Sequence, residues 1–437
     1  MSRPALNVGQ GVALLVSAAA YAGLAYLTPR AEFGPLLLLF AGAFGAYAWL
    51  LYRPLPLRYG LLAALLLRLL WLPATPALSD DYHRFRWDGT LVATGRNPYQ
   101  HRPDELVGAA PPDSPLAALY PRLNSPHYYS VYPPVCQAVF GLAGKLFPHS
   151  ELGFILGLRL VLLAAELATA ALLLALLRHF GQPAEKALLY LLNPLVIVEL
   201  TGNLHFEALL ICGLLAALWA LTRHRNGFSA VALALSVATK LLPLLLLPLL
   251  LRRLGWRAFL RYGSVVAVVV LLLFAPFLSA ELGQNFGRSL DLYFHKFEFN
   301  ASLYYLARAI GYRVTGYNEI ARIGSGLGWL TALLVAVLAL GEKQPTLRTL
   351  PLAALAALMG YYLLATIVHP WYLTPLIALS VFTRFRFALV WSGLIVLSYG
   401  AYQSAAYAEN LGLVALEYAG VAAVLIWELR RQPMGLT

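Results

Sequence analysis

Long apolar stretches alternate with short polar segments along most of the chain. The apolar stretches reach or pass the roughly 18–20 residues that an α-helix needs to cross a hydrocarbon core. We therefore predict an all-α fold, a polytopic bundle of transmembrane helices. The apolar stretches begin near Gly11, Pro35, Leu61, Leu152, Ala187, Leu204, Ala258, Arg322, Leu350, Trp371, Phe387 and Leu411.

Two long polar segments interrupt this pattern, at residues 79–151 and 280–318. The first is rich in Pro, Tyr, Asp and Arg, and it contains a stretch from Pro134 to Phe147 that is typical of an amphipathic helix at the interface. We predict that both segments are external loops of a single transmembrane domain covering residues 1–437. No separate soluble domain is expected.

The stretch from 226 to 251 has basic residues at both ends and Lys240 inside it. A single crossing would place one basic end outside, against the positive-inside rule. A broken hairpin that enters and returns on the cytoplasmic side avoids this. It also places Lys240 at the tip, away from the bilayer centre, where a lysine costs about 2.5–3.5 kcal/mol. This arrangement predicts about fourteen crossings, with both termini cytoplasmic.

Composition agrees with the membrane class. Of the 437 residues, 60% are hydrophobic and 12% charged, about half the charged fraction of a soluble protein. A net charge of +12 would fit a nucleic-acid partner, but the basic residues lie in short clusters between apolar stretches, as in cytoplasmic loops. Membrane lipids are the expected partners, and nucleic acid is not. The two cysteines, Cys136 and Cys212, provide no disulfide framework.

A dense group of charges follows the third apolar stretch. Asp80 and Asp81 are followed by Arg84, Arg86 and Asp88. An N-cap needs only one aspartate, so capping alone does not explain the group. In a helix, Asp81, Arg84 and Asp88 would share one face. The sequence therefore predicts a charged helix at the membrane boundary.

Seven short motifs occur in order along the chain, and together they resemble the GT-C superfamily of polytopic glycosyltransferases. The resemblance is strongest to bacterial polyprenyl-phosphate-mannose-dependent mannosyltransferases. The motifs cover Ser79–Gly89, Gly95–Tyr99, Val131–Pro134, Gly202–Glu207, Ala238–Pro243, Phe297–Asn300 and His369–Tyr372.

The resemblance implies a catalytic acid in the first external loop, which falls on Asp81 with Asp80 as the second choice. It also implies a polyprenyl-phosphate-hexose donor, most simply a mannose donor, a glycan or lipid acceptor, and inversion at the anomeric carbon. Two departures are visible. Glu207 stands where related sequences often have Asp, and no soluble external domain is expected after Glu428, so the loops would select the acceptor.

An inverting transfer needs one carboxylate to take the proton of the acceptor hydroxyl, and positive groups on the departing phosphate. Asp81 is the predicted base. The absence of a phosphate-cradling nucleotide motif favours a lipid-phosphate donor. Candidate phosphate ligands are Lys240, Arg84, Arg86, His295 and Lys296. Candidate substrate contacts are Asp88, His205, Glu207, Asn300, His369 and Tyr372.

Several alternatives stay open at this point. His205, Glu207 and Asp81 could bind a divalent cation, although no ligand spacing requires one. A transporter or flippase for a lipid-linked sugar is the alternative function, but it predicts polar groups spread through many spans and a repeated architecture. We further predict that Glu166 pairs with Arg159 inside a span, and that the active site faces outward from the inner or plasma membrane.

Overall fold

The computed structural model describes residues 6–109, 111–404 and 407–431. These residues are largely helical, and β-structure among them is limited to one isolated bridge between Phe299 and Ile367. The helices pack around one large apolar cluster. The predicted all-α class is confirmed.

The N-terminal third holds two long helices and a set of shorter ones. They are α1 (Val8–Tyr26), α2 (Phe33–Tyr52), α3 (Leu57–Leu69), α4 (Asp81–Ala93), α5 (Pro103–Val107), α6 (Pro115–Leu119) and α7 (Pro134–Leu146). The middle third contains α8 (Glu151–His179), α9 (Leu188–Leu191), α10 (Pro194–Val196), α11 (Glu207–Thr222), α12 (Asn226–Val237), α13 (Leu251–Leu254) and α14 (Trp256–Phe274).

The last third contains α15 (Leu282–His295), α16 (Leu303–Thr315), α17 (Ile320–Gly341), α18 (Leu350–Leu364), α19 (Thr374–Ser380), α20 (Phe387–Leu394) and α21 (Leu411–Arg431). A π-helical turn follows α10 at Ile197–Gly202. Short 3-10 helices occur at Tyr120–Arg122, Ala184–Ala187, Leu242–Leu250, Ala275–Phe277, Pro370–Leu373 and Ile395–Gln403.

Within the described residues, six helices are long and apolar enough to cross a membrane, or seven if one bent pair counts as a span. The protein is thus a polytopic membrane protein, but this number does not confirm the predicted fourteen crossings. The difference arises because several apolar stretches fold as short or broken helices. Examples are α18, with 15 residues, and α19, with 7.

The bent pair surrounds a sharp break between Gly202 and Glu207. The two helical parts, Pro194–Gly202 and Glu207–Thr222, meet at 113°. Leu204, between them, has a positive φ of 64°. The first part is capped by Asn193, whose Oδ1 accepts hydrogen bonds from the amides of Leu195 and Val196.

Residues 226–251 form two arms joined by a turn. Side-chain hydrogen bonds from Ser229 to Ala217 and from Ser236 to Leu210 show that α12 runs antiparallel to α11. The 3-10 helix Leu242–Leu250 then returns, and Leu250 packs in the same apolar cluster as Leu221. The two basic ends of this segment therefore lie at the same end of α11, a geometry that fits the predicted hairpin.

Arg159 and Glu166, both on α8, do not pair with each other, contrary to the prediction. They lie seven residues apart, about 10 Å along the helix axis. Glu166 instead accepts hydrogen bonds from Arg68 (2.8 Å) and from the Tyr190 hydroxyl (2.7 Å).

Arg159 is fully buried and donates to the carbonyl oxygens of four residues in two irregular segments. The acceptors are Leu72 and Ala74 at 2.7 Å each, Thr201 at 2.8 Å and Gly202 at 3.0 Å. The guanidinium thus ties the segment that leads into α4 to the break that precedes α11.

Helices α4 and α7 approach closely through glycines. A Cβ atom built on Gly89 would lie 2.5 Å from the carbonyl oxygen of Phe140, and one on Gly144 would lie 2.7 Å from the carbonyl oxygen of Gly89. Both neighbours are backbone atoms, which cannot rotate away. The helix predicted at Pro134–Phe147 is present as α7, and it supports the helix that carries the charged group. Its position at the membrane interface stays a prediction.

We expect Gly89→Val to push α4 off α7 and to destabilise the protein by about 1–3 kcal/mol, the usual cost of overpacking. Thermal unfolding of the detergent-solubilised protein, followed by tryptophan fluorescence, measures this. Gly263→Val is the matched control, because a Cβ atom there has no neighbour within 4 Å. Equal unfolding temperatures for the two variants would contradict the close contact.

Candidate functional site

The two adjacent aspartates differ in their partners. Asp80 lies at the N-cap position of α4 but its side chain makes no capping hydrogen bond. It forms an ion pair with Arg30, from the loop between α1 and α2. Asp81 is the first residue of α4, and its Oδ1 accepts a hydrogen bond from Asn124 Nδ2 at 2.9 Å. Among the described residues, none donates to the other carboxylate oxygen of Asp81.

Arg84 and Asp88 form a buried ion pair one turn further along α4. Arg84 Nε lies 2.9 Å from Asp88 Oδ1. Arg84 Nη1 also donates to the carbonyl oxygens of Ser125 and Tyr128. Arg84 therefore joins Asp88 on the predicted face and anchors the loop that carries Asn124. Its predicted phosphate contact stays a prediction.

The second oxygen of Asp88 is also occupied. Oδ2 accepts hydrogen bonds from Ser130 Oγ at 2.5 Å and Gln137 Nε2 at 3.1 Å, and the Asp88 side chain is fully buried. Arg86 does not contact Asp88 but pairs with Glu151 at 3.0 Å. Glu151 also pairs with Arg122 at 2.6 Å. These contacts hold α4, α7, α8 and the loop between them in one position.

A stack of three rings lies beyond the break before α11. His205 stacks on Trp371 with 3.7 Å between ring centroids, and Trp371 stacks on His369 at 4.5 Å. Burial, reinforced by the charges of Lys240 and His205, lowers the pKa of His369 to about 3. The His369 imidazole is therefore neutral near pH 7 and can act through hydrogen bonds, not through charge.

The ring stack is connected to the aspartates through Asn203. Asn203 Oδ1 accepts a hydrogen bond from the amide of Leu78, two residues before Asp80, at 3.2 Å. Its Nδ2 donates to Glu199 Oε2, which lies 3.4 Å from His205 Nε2. The buried Glu199 contacts both Asn203 and His205, and it thus connects the segment that carries the aspartates to the ring stack.

Lys240, at the turn between α12 and the returning 3-10 helix, pairs with Glu207 at the start of α11. Its Nζ lies 3.8 Å from the centroid of the Tyr372 ring. The Glu207 side chain is buried, whereas that of Lys240 is 34% exposed. The structure thus brings together five predicted site residues: Lys240, Glu207, Tyr372 and, through the ring stack, His205 and His369.

Three other predicted residues make their main contacts elsewhere, although Asn300 Nδ2 also lies 3.5 Å from the carbonyl oxygen of Val368, the residue before His369. Asn300 is buried and donates from Nδ2 to Glu417 Oε1 at 3.1 Å, so it ties its loop to α21. His295 contacts Asp291 (2.5 Å) and Ser325 (2.9 Å) at the end of α15. Lys296 is exposed at the same helix end. Their predicted substrate contacts stay predictions.

A cavity of about 830 Å³ opens beside Asp80. The residues that line it come from the end of α1 and the loop between α1 and α2, from the segment before α4, and from the end of the 3-10 helix Ile395–Gln403 and the residues after it. Arg30, Tyr402 and Tyr407 belong to the lining, and sequence reasoning missed all three. One signal was present, since the predicted topology placed Arg30 in an external loop, where basic residues are unusual.

Within the part of the chain that the structure describes, no group of three or more His, Cys, Asp or Glu side chains is arranged to hold a metal ion.

Asp88→Asn leaves the buried guanidinium of Arg84 without its ionic partner, and we expect a loss of about 3–5 kcal/mol of stability. Thermal unfolding in detergent measures the loss, with Asp113→Asn at an exposed position of the same loop as control. An unfolding temperature for Asp88→Asn equal to that of the control would argue against the buried pair.

One relative, alpha-(1->6)-mannopyranosyltransferase B of Corynebacterium glutamicum, is 31% identical over 147 residues, which are 33% of this chain and 23% of that protein. The aligned part is thus less than a quarter of the relative's length. The family described as alpha-(1->6)-mannopyranosyltransferase, N-terminal domain, matches residues 8–256, more than half of the chain and the part that contains α1 to α13. The chain therefore belongs to this MptA_B family.

Proposed function

We propose that this protein is an inverting mannosyltransferase that moves mannose from a polyprenyl-phosphate donor to a glycan or lipid acceptor on the external face of the membrane. The observation that carries the proposal is the position of Asp81. It lies at the start of α4, with one carboxylate oxygen held by Asn124 and the other accepting no hydrogen bond from the described residues. A general base needs such a fixed and accessible oxygen.

The different partners of the two aspartates support Asp81 as the base. Asp80 is engaged by Arg30, which also lies over the Tyr402 ring at 4.3 Å. Asp81 has only a neutral amide partner among the described side chains. In this proposal Asp81 takes the proton, and Asp80 positions a substrate group at the edge of the cavity.

Lys240 is the proposed phosphate ligand. It is the partly exposed cation of the group around the ring stack, and the neighbouring Tyr372 ring and Glu207 carboxylate orient its ammonium group. Its charge would stabilise the phosphate as negative charge grows there in the transition state. The neutral His369, together with His205, would bind the donor through hydrogen bonds.

The reaction is a single displacement. The oxygen of an acceptor hydroxyl forms a bond to the anomeric carbon of mannose while its proton passes to Asp81. The bond between that carbon and the phosphate oxygen breaks, and its electron pair leaves with polyprenyl phosphate. The configuration at the anomeric carbon inverts because the new bond forms on the face opposite to the leaving group.

We expect Asp81→Asn to lower mannosyl transfer by roughly 10²–10⁴-fold, the usual contribution of a general base, without changing the unfolding temperature. The assay uses purified protein, polyprenyl-phosphate-mannose and a synthetic α(1→6)-linked mannose trisaccharide, with mass analysis of the product. Asp113→Asn is the control, because it makes the same chemical change at an exposed position in the same loop.

Full activity of Asp81→Asn would remove Asp81 from its proposed role. A wild-type protein that transfers mannose from a nucleotide sugar, and not from the polyprenyl donor, would overturn the proposed donor class.

A further inference from the structure

The cavity beside Asp80 has the composition of a binding site for a neutral sugar. Its charged residues, Arg30 and Asp80, form an ion pair and so contribute no net charge. The remaining polar side chains are uncharged, and they include Thr28, Gln403 and Ser404. A phosphate site would present excess positive charge. We propose that this cavity binds the acceptor saccharide, an inference that rests on the proposed function.

Aromatic rings line one wall of the cavity. Tyr402 and Tyr407 meet edge to face, with 5.5 Å between their centroids and 85° between their planes. Tyr407 is 53% exposed, so part of its surface remains available to a ligand. Tyrosine offers an apolar ring and a polar hydroxyl together, which suits a sugar, because a sugar ring also has apolar C–H faces and polar hydroxyls.

The backbone around the cavity suits an aqueous lining. Much of the lining consists of non-helical chain, including Thr28–Ala31 and residues 73–77. Irregular backbone at the membrane is tolerated only where it is buried in protein or lines an aqueous cavity. The cavity of about 830 Å³ also falls within the roughly 300–1,000 Å³ of small-molecule sites. A polar ligand therefore fits it better than a lipid tail.

The position of the cavity also assigns it to the acceptor. Lys240, the proposed phosphate ligand, is absent from the lining, as are Glu207 and Tyr372. The cavity is instead connected to the residues around Lys240 through Leu78, Asn203 and the ring stack. An inverting displacement requires the acceptor and the leaving group on opposite faces of the transferred sugar. Asp81 is next to Asp80 in the chain, and Asp80 lines the cavity.

The proposal is tested by separating acceptor from donor kinetics in three variants. We expect Tyr407→Ala to raise the KM for the α(1→6)-linked mannose trisaccharide at least tenfold and to leave the KM for polyprenyl-phosphate-mannose within twofold. Tyr407→Phe, which keeps the ring face, should stay within threefold of wild type for both. Lys240→Ala should show the reverse pattern, with a raised KM for the donor only.

Direct binding of the same trisaccharide without donor keeps this test independent of the proposed reaction. The Asp81→Asn protein should bind it as wild type does, and Tyr407→Ala should bind it at least tenfold more weakly. Unchanged binding and KM in Tyr407→Ala would overturn the acceptor cavity while leaving the proposed function intact. A raised donor KM in Tyr407→Ala would instead assign the cavity to the donor.

If the wild-type protein binds the trisaccharide but transfers no mannose, the proposed function fails and the saccharide cavity stands. Thermal unfolding of each variant confirms folding. The exposure of Tyr407 makes its substitution mild, whereas Lys240→Ala leaves the buried Glu207 carboxylate without its ionic partner and depends most on this check.

Discussion

The site depends on one buried guanidinium. A membrane protein must satisfy every backbone polar group that leaves a helix, since lipid offers no hydrogen bonds. Here two irregular segments meet, one leading to the aspartates and one leading to His205. Arg159 donates to carbonyl oxygens on both. The tight contact between Gly202 and Trp71, where a Cβ atom would lie 2.7 Å from the indole, fixes the same junction. The chain can therefore break its helices here and still hold the aspartates and His205 in fixed relative positions.

The parts of the fold that sequence reasoning predicted are those decided by local pattern. Long uninterrupted apolar stretches became long helices, as in α1, α2 and α8. Hydropathy could not reveal breaks, because a short helix and a spanning helix of the same composition have the same average. The start of α10 involves a partner far along the chain, since the capping residue Asn193 donates from Nδ2 to Ser392. The Arg159 and Glu166 pairing failed for a related reason: each found a better partner on another segment.

The candidate site shows the same division. Helical spacing brought Arg84 to Asp88, because that relation is local to α4. Lys240, Glu207 and Tyr372 belong to three motifs that are far apart in the sequence, and the structure brings them into contact. The order of the motifs along the chain does not predict the distances between them. Arg30 belongs to none of the motifs. It reaches the site only because the loop between α1 and α2 folds over the start of α4, a relation that exists only in three dimensions.

Arg159 recognises carbonyl oxygens, which every amino acid possesses. The hydrogen bonds from Arg159 consequently do not involve the side chains of Leu72, Ala74 and Thr201. A different side chain at one of these positions therefore leaves the hydrogen bond to Arg159 available. The backbone carbonyl oxygens of these residues hold the two segments together, and their side chains are not needed for that contact.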